Sequence, residues 1–116
     1  MPTTYVHQAT VTLAPGGDPA ALGGAVTVFL CGSWEHDGPC TWPHHSGSES
    51  EGDRTRLRTV FRVEAADEPG VRRRIDAALA AGSQTGPDGA TTSWILLASG
   101  PDQPRDDESS LGERLG

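Results

Sequence analysis

Residues 31–47, CGSWEHDGPCTWPHHSG, gather both cysteines of the chain, three of its four histidines and two of its three tryptophans. Thiolate and imidazole are the donors zinc prefers, and four of them close a tetrahedron. The donors stand as Cys31-x4-His36-x3-Cys40-x3-His44-His45. On a helix, His36, Cys40 and His44 would stack on one face. Gly38-Pro39 and Trp42-Pro43 interrupt helical continuation, so the segment is expected to turn twice around a common point. Cys31, His36, Cys40 and one of His44 or His45 then make a Cys2His2 set. The spare histidine either serves an open coordination position or faces solvent. Copper(I) and nickel suit the same donors.

The spacing matches no zinc-finger pattern: there is no C-x2-C pair and no H-E-x-x-H. A deaminase site also fails, because Glu35 precedes His36 and Cys40 has no second cysteine three residues on. Other readings of the same residues are a small buried Cys31, a disulfide between Cys31 and Cys40, or a Cys40 nucleophile beside His36 and His44. Arg72-Arg73-Arg74 could form an anion site at a helix start. They fit helix-surface positions equally well, with Arg72 facing Asp76.

Several elements must position this segment. The stretch YVHQATVTL alternates, with Tyr5, His7, Ala9, Val11 and Leu13 on one face, which is the period of a half-buried strand. His7 on that inner face is expected to be a satisfied core histidine. DPAALGG reads as one or two helical turns capped by Asp18 and closed by Gly23 or Gly24. AVTVFLC is apolar throughout and β-branched, so it is expected to be a strand buried on both faces and ending at Cys31. RLRTVFRVEA alternates again. Residues 67–82 carry a helix with Asp67 at its start, Val71, Ile75, Ala78 and Leu79 on its apolar face, and Gly82 as its stop. SWILLAS is a last strand.

The order β-α-β-β-α-β predicts an α+β fold, a ferredoxin-like βαββαβ sandwich. Its four-stranded antiparallel sheet would carry both helices on one face, with a long loop, residues 31–55, between the second and third strands. The other sheet face would be uncovered, with Val6, Val26, Val28, Leu30, Val60, Ile95 and Leu97 available to it. That predicts a homodimer formed through the uncovered face.

The 116 residues suffice for one domain, expected over residues 1–100. Residues 101–116 are polar, carry five acids and two arginines, and are expected to be a disordered acidic tail. Residues 46–53 carry three more acids, so the net charge of −7 sits mainly in two solvated segments. Nucleic acid is an unsuitable partner for such a chain, since phosphate binding needs a basic footprint. No apolar run reaches membrane-spanning length, and no signal sequence precedes the first strand. The expected address is cytoplasmic, where thiols stay reduced. Absence of lysine and asparagine fits a high-GC bacterial genome.

The expected function is therefore a small cytoplasmic bacterial metal-binding protein with a zinc site in residues 31–45. Its role would be structural or regulatory rather than catalytic. The alternative is a small-molecule-binding or catalytic dimer that uses a pocket between helices and sheet, with the loop as lid.

Overall fold

A computed structural model describes residues 2–31, 42–86 and 88–115. The chain order is β1 (Thr3–Leu13), α1 (Ala20–Cys31), β2 (His44–Glu51), β3 (Arg54–Val63), a short 3-10 turn (Ala65–Asp67), α2 (Glu68–Ala80), β4 (Ser83–Thr85), β5 (Thr91–Asp102) and α3 (Asp106–Leu115). The strands form one antiparallel sheet in the order β2-β3-β1-β5-β4, curled into a half-barrel. This corrects the expected four-stranded ferredoxin-like sheet, since five strands and three helices are present.

The first correction is local. AVTVFLC lies in helix α1, not in a strand. A short apolar run fits a buried helix as well as a buried strand, and periodicity cannot separate them. Asp18 starts the helix: its side chain accepts the Ala20 N–H at 3.0 Å. The helix then continues through Gly23 and Gly24. A Cβ on Gly23 would stand 3.4 Å from the Ser46 Cβ, so the glycine lets β2 lie close against α1. Leu22, Ala25, Val26 and Leu30 are buried on the inner side of α1.

The second correction moves the second strand into the polar stretch HHSGSESE. It pairs with β3 from His44↔Phe61 to Glu51↔Arg54. Glu51 and Arg54 flank a two-residue turn in which Gly52 has φ +62°, the first position of a II′ hairpin. No apolar pattern marks β2 because most of it is exposed. Residues 44–51 of the expected long loop are thus strand, and residues 32–41 lie outside the described residues.

Helices α1 and α2 cover one sheet face. Tyr5, Ala9, Val11, Leu57, Phe61, Val63, Trp94 and Leu96 meet Leu22, Val26, Val71, Ile75 and Leu79 there. Helix α2 buries Val71, Ile75, Ala78 and Leu79, the face its sequence period predicts. Gly82 ends it at φ +77°, a conformation that favours glycine. The Trp94 indole N–H then donates to the Leu79 carbonyl at 2.8 Å, tying β5 to the helix end. A register shift between Thr10 and Val11 leaves Leu97 unpaired in β5 and reverses the facing of the residues beyond it. Ser99 consequently reaches α2, where its hydroxyl donates to Asp76 at 2.7 Å.

The third correction concerns residues 101–115. They finish β5 and form α3, where a disordered tail was expected. Helix α3 lies over the second sheet face, against β3 and β1. Val6 and Val60, expected to be uncovered, are buried. A Cβ on Gly112 would collide with the Thr4 side chain, so α3 touches β1 through a bare backbone. Val26, Val28 and Leu30 belong to α1 instead of the sheet. Only Ile95 and Leu97 of the expected apolar face remain open, 67% and 47% exposed. The chain's own helix α3 thus covers the part of that face built on β3 and β1.

Candidate functional site

The expected donors reach the described structure only in part. Cys31 is the last residue of α1; its side chain, and all of His36 and Cys40, lie outside the described residues. His44 and His45 open β2 and, as neighbours in a strand, face opposite sides of the sheet. Among the described residues no three His, Cys, Asp or Glu side chains converge on a common point.

His44 stands on the helix side. Its Nδ1 lies 3.1 Å from the Trp42 carbonyl oxygen. A carbonyl only accepts, so Nδ1 carries the proton in the neutral ring. The Nε2 lone pair then accepts the Thr27 hydroxyl of α1 at 3.1 Å. This bond joins the two ends of the Cys/His segment, because Thr27 is one helical turn before Cys31. Trp42 packs against the apolar core, and the Arg74 guanidinium lies 4.6 Å from its ring centroid. Arg74 also donates to the Phe29 carbonyl at 3.4 Å. A shallow depression of about 710 Å3 lies here, bordered by Phe29, Trp42, Arg73 and Arg74.

His45 is exposed on the second face. It lines a cleft of about 200 Å3 beneath α3, with Val60, Leu111, Arg56, Arg58 and Glu108. The charged group of this cleft is one the sequence did not single out. Arg58 is only 8% exposed. Its Nε and Nη2 donate to the two carboxylate oxygens of Glu108, both at 2.8 Å. Its Nη1 donates to Asp102 at 2.6 Å and to Gln8 at 2.8 Å, and Nη2 also reaches the Gln103 carbonyl at 3.0 Å. Every donor nitrogen is thereby used. Glu108 is held below the usual carboxylate range by the Arg58 bonds, which outweigh the opposing cost of burial, and the Arg105 N–H adds to them. Asp102 is lowered by Arg58 and by the Gln103 N–H. Arg58 is pushed above its ordinary value, chiefly by Glu108.

His7 is buried and fully bonded, as a core histidine should be. Arg72 Nη1 donates to its Nδ1 at 3.1 Å, so Nε2 carries the proton and donates to Asp76 at 2.8 Å. The ring sits between an arginine and a carboxylate, and Asp76 stands between it and the Ser99 hydroxyl. That order leaves His7 no path to activate Ser99 as a nucleophile. Of the arginine run, Arg72 is drawn inward, bonding Glu68 at 2.8 Å and the Val6 carbonyl at 2.8 Å, and it does not pair with Asp76. Arg73 and Arg74 stay exposed on the helix surface.

The space between the helices and the first sheet face is filled by Phe61, Leu22, Val26, Ile75 and Leu79, all essentially inaccessible. No helix of the described residues is long and apolar enough to cross a membrane. Comparison with family models, with curated proteins and with solved structures returns no match, so the functional reading rests on these residues alone.

Proposed function

We propose that the protein binds a divalent metal, zinc in the first place, through Cys31, His36, Cys40 and His44, in a structural or regulatory role. The observation that carries the reading is the contact between His44 Nδ1 and the Trp42 carbonyl oxygen at 3.1 Å. The Trp42 carbonyl holds Nδ1–H, which leaves Nε2 as the ligating nitrogen and fixes the ring orientation, the usual outer arrangement around a metal-bound imidazole. Nε2 is aimed at α1, and Cys31 follows Thr27 on that helix by four residues, about 6 Å along its axis. A thiolate and an imidazole from two different elements are thus supplied near the two ends of the segment that carries His36 and Cys40. His45, across the sheet from His44, falls outside the set. Four protein donors leave no open coordination position, which favours a structural or regulatory metal over a catalytic one.

Elemental analysis of tag-free protein tests this. One equivalent of zinc is expected, lost in Cys40→Ser, His36→Ala and His44→Ala and kept in His45→Ala. Folded, metal-free protein that takes up no added zinc, cobalt or copper would overturn it, as would a site destroyed by His45→Ala.

A further inference from the structure

We infer that β2 is a pairing edge, and that its partner is β2 of a second copy of this chain, joined antiparallel about Ser48. The two ends of the sheet differ. Strand β4 offers three residues, Ser83–Thr85, whereas β2 offers eight, His44–Glu51. The direction of each backbone group in β2 follows from one bond. The Arg62 N–H donates to the Pro43 carbonyl at 3.1 Å, which makes 43 and 62 a hydrogen-bonded pair. Antiparallel pairs alternate, and the β2–β3 register runs without a shift. Residues 45, 47, 49 and 51 therefore bond β3, and Ser46, Ser48 and Ser50 turn their N–H and C=O groups outward. No backbone partner is found for these outward groups among the described residues.

Within His44–Glu51 there is no proline and no bulge, two of the devices that protect such an edge, and Glu49 and Glu51 are the charges it carries. The polar side chains meet partners across a twofold axis, while Glu49 keeps Arg105 of its own chain at 3.7 Å. Centring the pair on Ser48 sets Ser46 against Ser50 and uses all three outward serines. It also places His45 opposite Glu51 of the second copy, twice by symmetry, and each Glu49 opposite a Gly47. The His45, Glu49 and Glu51 side chains are exposed on one face of the strand. The self-complementarity of this short polar strand points to a second copy over an unrelated peptide.

The test is the oligomeric state of the full chain by analytical ultracentrifugation, from micromolar to submillimolar concentration. A monomer–dimer equilibrium is expected. Ser48→Pro removes a donor that points away from β3, so it should abolish the dimer while the far-ultraviolet dichroism stays unchanged. His45→Glu, an exposed substitution that spares the fold, should raise the dissociation constant about tenfold. The exchange His45→Glu with Glu51→His should restore it. A chain that stays monomeric throughout overturns the inference, and so does a dimer whose dissociation constant is the same in His45→Glu.

Discussion

On one face of the sheet, closure is apolar: Phe61, Leu57, Val11 and Trp94 interlock with Leu22, Val26, Val71, Ile75 and Leu79. On the other face a single ten-residue helix is held by Arg58, which grips Glu108 and Asp102, with Val6, Val60 and Leu111 as the small apolar share. The first arrangement gains free energy from area removed from water and tolerates no missing volume. The second depends on geometry. A buried charge stabilises only while each of its bonds is made, and losing one partner leaves a desolvated ion. The two faces should therefore fail differently, the first as a whole fold and the second as one helix.

The largest effect is expected on the apolar face. Phe61 is fully buried and packs on Tyr5 at 5.6 Å between ring centroids, with the Arg72 guanidinium 5.2 Å from its own. Phe61→Ala should cost about 3–5 kcal/mol, from lost burial and the cavity left behind. Urea unfolding followed by dichroism and by tryptophan fluorescence should shift together, because Trp94 and both helices share this core. Separate shifts would mean that the first face is not one cooperative unit.

A smaller and more local effect is expected on the charged face. Glu108→Ala removes the carboxylate that takes two Arg58 bonds, leaving Asp102, Gln8 and the Gln103 carbonyl. A cost of about 2–3 kcal/mol follows, below that of a wholly unpaired buried ion. Amide exchange should rise across Asp106–Leu115 while Val71–Leu79 remains protected. Replacing both partners, Arg58→Leu with Glu108→Leu, should recover most of the loss.

Acid should act on the same helix. Glu108 and Asp102 have folded values below their unfolded ones, so the unfolded chain binds more protons as pH falls. Their stabilisation is complete above the unfolded carboxylate range, about pH 4. It fades as pH falls through the lower folded values. Exchange over α3 should thus accelerate below about pH 4 before the core opens. If α3 and α2 lose protection at the same pH, the distinction between the faces is gone.

The same contrast explains what the sequence discloses. Alternation in β1 and β3 and the i, i+4 stripe of α2 record burial against an apolar layer, and the structure carries those residues inward. Helix α1 resembles a buried strand in sequence because it is buried nearly all round, which erases any period. Strand β2 was hidden for the opposite reason: an exposed edge needs no apolar residues at all. In β3, Arg58 is indistinguishable from solvent-facing Arg56, since burial by a later helix leaves no local mark. The C-terminal segment did hold a signal: Pro104, acids in the first turn, and Leu111 and Leu115 four apart are the pattern of a short amphipathic helix. Its acidic composition is that of a solvated tail, yet one of those acids, Glu108, is the anchor. For the candidate site, the sequence names the residue types of the proposed donors. The facing of His44 and His45 and the Trp42 carbonyl that sets the His44 tautomer needed the fold.

The smallest expected effect sharpens the contrast from outside both faces. The Thr27–His44 bond links α1 to β2 beside the core and is part-buried. Thr27→Val keeps the shape and removes the hydroxyl, so metal-free protein should lose only about 1 kcal/mol. If His44 Nε2 ligates zinc, the metal takes the place of that hydroxyl, and zinc-loaded protein loses nothing. Chelator-stripped Thr27→Val should therefore melt slightly below stripped wild type, while the loaded forms melt together. An equal shift in both states would mean that the hydroxyl and His44 stay bonded with metal present, which removes His44 Nε2 from the donor set.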